Sequence, residues 1–194
     1  MNTQRLILAS SSPYRRELLS RLQLEFDCIS PDCDETALEN ESPQAMAGRL
    51  AALKAQTVAK NQPNALIIGS DQVVESESQI LRKPGDHARS FAQLSQLSGK
   101  IVNFHAGLCL FDAKTGQSHL AVETVEVKFK PLSAETIESY LKAEEPYDCA
   151  GSFKSEGLGI SLFEYIRSDD PTTLVGLPLI RLCQFLELED VKIV

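Results

Sequence analysis

The chain has 194 residues, of which 43% are hydrophobic and 24% charged, a composition typical of one large globular domain or two small lobes. Its net charge of −8, its pI of about 4.9 and an aromatic content of 6% without tryptophan argue against a nucleic-acid-binding surface. No apolar segment reaches the ~20 residues of a membrane span, and residues 1–5 lead into a short apolar run without the shape of a signal peptide.

The N-terminal segment predicts a strand, a polar loop and a helix. Residues 6–9 are an apolar strand, residues 10–12 are three serines, and Pro13 opens a helix with the last serine as its N-cap. Free backbone N–H groups at such a helix start favour an anion. Arg15 and Arg16 lie in the first turn, where the helix dipole disfavours cations, so they indicate either an anionic partner or a solvated pair.

An acidic loop follows a second predicted strand at residues 25–29. Asp32, Asp34 and Glu35 place three carboxylates within four residues, with no cation near them in the sequence. Carboxylates this close repel one another unless water or a metal ion relieves the repulsion. The loop is therefore either a solvated surface loop or part of a metal site.

A second helix is predicted to begin at Ser42, which precedes a proline. Four of its residues recur at helical spacing and should face the core: Met46, Leu50, Leu53 and Thr57. Lys54 is adjacent to this stripe. From the pattern alone it is an ordinary surface lysine, although it could also reach the edge of a cleft.

The most informative stretch lies at residues 65–72. An apolar run stops at Gly69 and is followed by Ser70, Asp71 and Gln72. If a buried strand ends at this glycine, Asp71 lies at the carboxyl end of a strand, where open α/β sheets bind ligands. The alternative is a turn in which Gly69 supplies an unusual dihedral angle and Asp71 caps the next segment.

The remaining elements are predicted in order along the chain. Proline fixes Lys83 in an extended conformation, from which it can reach a phosphate. A hairpin is expected at residues 72–81, helices at 86–98, 133–142 and 179–186, strands at 101–111, 121–130 and 160–166, and a glycine-rich loop at 150–159. No linker divides the chain, so we expect a single domain over residues 1–194, with a possible second lobe at about 101–147.

The cysteine spacing and the motifs absent from the sequence exclude several kinds of catalytic and nucleotide-binding site. No cysteine pair has the spacing of metal ligands or of a redox motif. The cysteines are therefore predicted to be free thiols and small buried hydrophobic residues, as expected of a cytoplasmic protein. Phosphate-loop, dinucleotide-binding, nucleophile-elbow and zinc-protease motifs are absent. Carboxylates, lysines, arginines and hydroxyls remain, and these suit metal-assisted hydrolysis of a phosphate ester or anhydride.

Short motifs across nearly the whole chain resemble the Maf family of nucleotide pyrophosphatases. They lie at residues 9–19, 34–35, 54–55, 69–72, 83–84 and 151–157, in family order. The resemblance implies hydrolysis of nucleoside triphosphates to monophosphate and pyrophosphate with Mg²⁺ or Mn²⁺. It also implies a mixed, twisted α/β sheet with flanking helices, similar to inosine triphosphatases, two lobes around a deep cleft, and often a homodimer.

The resemblance also assigns roles to individual residues. Asp71 matches the catalytic proton acceptor, and Glu35 matches an active-site acid that would share a metal ion with Asp71. The remaining matches fall on catalytic or substrate-binding positions: Lys54, Lys83, Ser10, Ser12, Arg15 and Arg16.

Three positions separate the branches of the family. Tyr14, Gln72 and Glu156 resemble the branch that acts on 7-methyl-GTP, although that branch often has tryptophan in place of Tyr14. An aromatic face attracts the positively charged 7-methylguanine ring, and a carboxylate accepts from its ring N–H and amino group. The alternatives are a pyrophosphatase for other noncanonical purines, or a non-catalytic nucleotide-binding regulator of cell division.

Overall fold

The computed structural model describes residues 4–194, so the N-terminal prediction falls partly on residues 1–3, which lie outside the described residues. The described chain forms seven strands and five helices. The strands are β1 (Arg5–Ala9), β2 (Phe26–Cys28), β3 (Ala65–Ser76), β4 (Gln79–Leu81), β5 (Ile101–Asp112), β6 (Ser118–Phe129) and β7 (Phe163–Arg167). The helices are α1 (Pro13–Ser20), α2 (Pro43–Ala59), α3 (His87–Leu97), α4 (Ala134–Glu144) and α5 (Leu179–Leu188).

The strands form one mixed sheet in the order β2-β1-β3-β5-β6-β7, with β4 paired to the far part of β3. Strand β1 is parallel to both β2 and β3, whereas β4 pairs with β3, and β7 with β6, in antiparallel register. The mixed α/β sheet with flanking helices that the sequence predicts is confirmed.

The chain divides into two compact units, and the first contains the residues up to Gln72, Ala106–Glu123 and Asp170–Val194. In this unit, β1 and β3 are buried on both faces, which explains their unbroken apolar runs. Leu8 and Ile68 point to one face with leucines of α1 and α5. Ile7 and Ile67 point to the other face, against α2. Helices therefore cover both faces of this part of the sheet.

The second unit contains Val73–His105 and Thr124–Asp169. Its core holds four phenylalanines in edge-to-face contact: Phe104, Phe129, Phe153 and Phe163. Helices α3 and α4 pack together in this unit. It includes parts of the second lobe expected at residues 101–147, and the division into lobes stays a prediction.

Two details of the sequence prediction are wrong. Residues 160–162 belong to a 3-10 turn at Leu158–Leu162 instead of the predicted strand, which begins only at Phe163. Gly159 lies so close to the backbone of Lys154 that the chain folds back on itself before it becomes extended. Of the five cysteines, which are all free, only Cys109 is buried, and this burial raises the pKa of its thiol to about 12.

No helix within residues 4–194 combines the length and apolar character that a bilayer crossing needs.

Candidate active site

Asp71 lies in the middle of a long strand, and the prediction that the strand ends at Gly69 is wrong. Strand β3 continues to Ser76 because the valines after Asp71 are buried and the end of the strand pairs with β4. The strand that ends here is β1, whose last residue, Ala9, is opposite Gly69. Asp71 therefore extends past the carboxyl end of β1, the edge where open α/β sheets bind ligands.

Gly69 allows helix α2 to approach the sheet. A Cβ atom at this position would collide with the backbone oxygen of Ala51 and with Ala55, and one at Gly107 would collide with the backbone of Ala47. The glycine φ angle is not positive, so the alternative of a special turn is wrong. Two glycines on neighbouring strands thus let the alanine face of α2 pack closely on the sheet.

This close packing changes which face of α2 is buried. Of the four residues predicted to face the core, only Leu50 is buried, whereas Met46, Leu53 and Thr57 are partly exposed. The buried face carries Lys54, and the interpretation of Lys54 as a surface lysine is wrong. Small side chains, instead of the largest apolar ones, face the two glycines because only they fit there.

Lys54 joins two carboxylates. Its Nζ atom lies 2.5 Å from Oδ1 of Asp71 and 2.9 Å from Oε1 of Glu35. The side chains of Lys54 and Asp71 are 8% and 11% exposed, whereas that of Glu35 is 54% exposed. Charges shielded from water interact more strongly than surface charges. The arrangement therefore places the positive charge of Lys54 beside the buried Asp71 carboxylate and leaves Glu35 facing solvent.

Arg49 anchors the acidic loop to helix α2. Its guanidinium binds both oxygens of Glu41 and donates to the backbone oxygen of Thr36, the residue after Glu35. Asp34 accepts from the backbone N–H and the hydroxyl of Thr36. The cations that the loop lacks in its own sequence come from helix α2, since Lys54 reaches Glu35 and Arg49 holds the loop.

The serine loop after β1 forms the predicted helix start. Oγ of Ser12 accepts from the backbone N–H of Arg15, and Oγ of Ser10 accepts from the backbone N–H of Ser12. Arg16 is exposed, whereas Tyr14 and Arg15 are partly buried. The predicted N-cap is confirmed, and the two arginines differ in environment.

Arg15 lies in the electrostatic field of the two carboxylates. Its Nε donates to the backbone oxygen of Gly176 at 2.9 Å. Burial lowers the pKa of its guanidinium, and the charges of Asp71 and Glu35 act in the opposite direction. An arginine stays protonated under such a shift, so Arg15 brings a fixed positive charge to the same region.

The segment before α5 also holds site residues, and the sequence interpretation missed it. Nε2 of Gln72 donates to the backbone oxygens of Thr173 and Leu174, both at 3.1 Å. Oγ of Ser70 donates to the backbone oxygen of Gly176, the atom that also binds Arg15. Backbone carbonyls form these contacts, so the side chains of this segment gave no signal.

Lys83 and Glu156 belong to the second unit. Lys83 is exposed and follows β4, and Glu156 is exposed and accepts a hydrogen bond from the Ser155 hydroxyl at 2.7 Å. Their roles stay predictions.

The two carboxylates fit a metal ion whose remaining ligands come from the phosphates of a substrate. Within residues 4–194 there is no group of three or more His, Cys, Asp or Glu side chains that could hold a metal ion alone. Glu35 and Asp71 nevertheless meet at Lys54. Mg²⁺ is usually bound by one or two carboxylates together with substrate phosphates, which matches two carboxylates in this arrangement.

The fold and this site are those of a mixed α/β protein with a carboxylate–lysine centre beside the carboxyl end of the parallel strand β1. A solved structure of the Ham1 protein of Staphylococcus aureus has a similar fold, with a TM-score of 0.56 over 96% of this chain and 100% of that chain. The two chains are 15% identical, so the likeness concerns the fold alone.

The family follows from the sequence comparison. The model of the Maf-like protein family matches residues 5–189, and the chain belongs to this family. A 7-methyl-GTP pyrophosphatase of Albidiferax ferrireducens is 50% identical over 98% of this chain and 96% of its own length. Proteins of the same description from Nitrosococcus oceani and Pseudoalteromonas atlantica are 52% and 53% identical, covering 94% and 97% of this chain and 92% and 97% of their own lengths.

Proposed function

We propose that this protein hydrolyses 7-methyl-GTP to 7-methyl-GMP and pyrophosphate, and so keeps a modified nucleotide out of nucleic acids. The relatives described as 7-methyl-GTP pyrophosphatases, which match almost end to end, support the substrate. The contact of Lys54 with both Asp71 and Glu35 is the single observation that carries the chemistry.

In the proposed reaction, Asp71 accepts a proton from the attacking water. Oδ1 of Asp71 is held by Lys54, and Oδ2 accepts no hydrogen bond from the described part of the chain, so Oδ2 takes the proton. Attack at the α-phosphorus then expels pyrophosphate. A divalent cation held by Glu35 and Asp71 would supply charge neutralisation on the phosphates.

The basic and polar residues bind the triphosphate in this proposal. Lys54 and Arg15 provide positive charge, and the positive end of the α1 dipole lies beside Ser10 and Ser12. Arg16, being exposed, contributes to attraction of the anion. Lys83 is assigned a further phosphate contact on its Lys-Pro motif alone.

Base recognition rests on Tyr14, Gln72 and Glu156 in the proposal. Tyr14 stacks on the cationic 7-methylguanine ring, a contact worth roughly 0.5–2 kcal/mol. The Glu156 carboxylate accepts from the ring N–H and the amino group of the base. Since Nε2 of Gln72 is bonded to two backbone oxygens, its side-chain oxygen is the atom left for the ligand.

A panel of canonical and modified nucleoside triphosphates tests the function. With Mg²⁺ or Mn²⁺, we expect the highest kcat/KM for 7-methyl-GTP, and chelation of the metal should abolish pyrophosphate release. Nucleotide binding without metal-dependent turnover would favour the regulator of cell division. Equal turnover of several noncanonical purine triphosphates would favour the broader pyrophosphatase.

Replacing the base-recognition residues tests specificity separately from catalysis. Gln72→Thr combined with Glu156→Gln should lower kcat/KM for 7-methyl-GTP relative to UTP and dTTP, because the carboxylate acceptor and the amide are removed. Each lost hydrogen bond to a charged group is worth about 1.5–3 kcal/mol, which corresponds to roughly 10-fold to 10²-fold. Glu164→Gln, at an exposed position of β7, is a matched control. An unchanged ratio would exclude these residues from base recognition.

Free cysteines accord with a reducing compartment, and a cytoplasmic location is part of the proposal. The homodimer implied by the family resemblance stays a prediction.

A further inference from the structure

Asp170 is a buried carboxylate outside the predicted site. It is 4% exposed and lies in the first unit, just before the segment that contacts Arg15, Ser70 and Gln72. None of the sequence motifs includes it. We propose that Asp170 is a positioning residue, which holds the 172–176 segment so that its carbonyls fix Gln72 and Arg15 for the reaction.

The carboxylate of Asp170 ties this segment to the start of helix α5. Oδ1 accepts from the backbone N–H of Thr172 at 2.8 Å and lies 2.6 Å from its hydroxyl. Oδ2 accepts from the backbone N–H of Ile180 at 2.7 Å. One side chain therefore connects both ends of the 172–180 stretch.

Thr172 completes the connection. Its Oγ1 accepts from the backbone N–H of Leu179 at 2.9 Å and lies 2.8 Å from the backbone oxygen of Leu177. Helix α5 begins after Pro178, which offers no side-chain cap, so Asp170 and Thr172 satisfy N–H groups that would otherwise be unpaired. A negative charge is also favourable at the N-terminus of a helix.

The segment held in this way carries the acceptors for the site. The backbone oxygen of Gly176 receives Arg15 Nε and Ser70 Oγ, and those of Thr173 and Leu174 receive Gln72 Nε2. Gly176 has φ +108°, a conformation that side-chain-bearing residues rarely adopt, so this turn has a specific geometry. A shift of the turn would move three side chains of the site together.

The structure supplies a matched control in the same unit. Asp112 is also 4% exposed and accepts from a backbone N–H, that of Lys114, and from a threonine hydroxyl, that of Thr115. Within the described residues, the hydrogen bonds of Lys114 and Thr115 involve no residue of the candidate site. Asp112→Asn therefore tests the general effect of neutralising a buried, hydrogen-bonded aspartate.

The test compares Asp170→Asn with Asp112→Asn. In asparagine one oxygen becomes an NH₂ group, which cannot accept from Thr172 or Ile180. We expect a ~10-fold to 10²-fold lower kcat/KM for 7-methyl-GTP and a smaller preference over UTP in Asp170→Asn only. In a Gln72→Ala background, Asp170→Asn should change that preference no further. Equal kinetics in the two aspartate variants would overturn the proposal.

A second readout does not depend on turnover, which matters because the kinetic arm rests on the proposed function. The side-chain amide signals of Gln72 in ¹H–¹⁵N spectra, assigned by their loss in Gln72→Ala, should shift in Asp170→Asn and stay in place in Asp112→Asn. If the wild-type protein releases no pyrophosphate from any nucleotide, the proposed function fails, but this shift still supports positioning. An unmoved Gln72 signal overturns the positioning role.

If Asp170→Asn does not fold, Thr172 provides the same test. Thr172→Ser keeps the hydroxyl and should keep the Gln72 signals and substrate preference, whereas the isosteric Thr172→Val should change both. Equal signals and preference in these two variants would contradict the proposal.

Discussion

Replacing Asp71 with asparagine is expected to lower kcat for pyrophosphate release by about 10²–10⁴-fold, the usual contribution of a general base. Asparagine keeps an oxygen for the 2.5 Å contact with Lys54 but has no carboxylate to accept a proton. KM should change less than kcat, because the loss concerns the transition state. Steady-state kinetics with 7-methyl-GTP and a thermal melt of the variant measure the effect and the fold.

Asp112→Asn is the control for this substitution as well, since it neutralises a buried aspartate of the same unit away from the site. It should keep wild-type kcat. A folded Asp71→Asn protein with normal turnover would remove Asp71 from the mechanism.

Replacing Lys54 with methionine is expected to affect both activity and stability. The change leaves Asp71 buried without its cation and Glu35 without its partner. Breaking a buried ion pair from one side costs about 3–5 kcal/mol of unfolding free energy. Loss of one charge that stabilises the transition state should lower kcat by about 10²–10³-fold. Chemical denaturation and kinetics on the same preparation measure the two effects.

Lys60→Met is the matched control, because Lys60 is exposed at the end of the same helix. It should leave stability within about 0.5 kcal/mol of wild type and kcat unchanged. If Lys54→Met has the same unfolding free energy and kcat as Lys60→Met, the Lys54 contacts with the two carboxylates contribute to neither stability nor catalysis.

The helix starts and the main strands could be predicted because local chemistry determines them. Ser12 and Ser42 each precede a proline, and both are N-caps in the structure. The apolar residues of β1 and β3 are buried on both faces, as an unbroken run predicts for a parallel strand. An N-cap is determined by residues that are adjacent in the sequence. A buried parallel strand can be predicted from its unbroken apolar run alone.

The burial of Lys54 could not be predicted from its own helix. It depends on Gly69 and Gly107, which lie on two strands and allow the alanine face of α2 to reach the sheet. The pattern of large apolar residues in α2 favours the wrong face, because it contains no information about the two glycines on the opposing strands. Such a match between helix and sheet exists only after the chain has folded.

The 172–176 segment was missed for a different reason. It contributes backbone oxygens to Arg15, Ser70 and Gln72, and every residue type carries a backbone oxygen. Asp170, just before this segment, is a buried carboxylate, and the role proposed for it depends on contacts to residues up to ten positions away. The sequence therefore indicates the charged residues of the candidate site, but not the backbone contacts that orient them.

Hydrolysis of 7-methyl-GTP in ¹⁸O-labelled water, followed by mass spectrometry of both products, tests the central claim most directly. If Asp71 activates a water that attacks the α-phosphorus, the label enters 7-methyl-GMP and pyrophosphate stays unlabelled. Label in pyrophosphate, or release of single phosphates in its place, would contradict the mechanism.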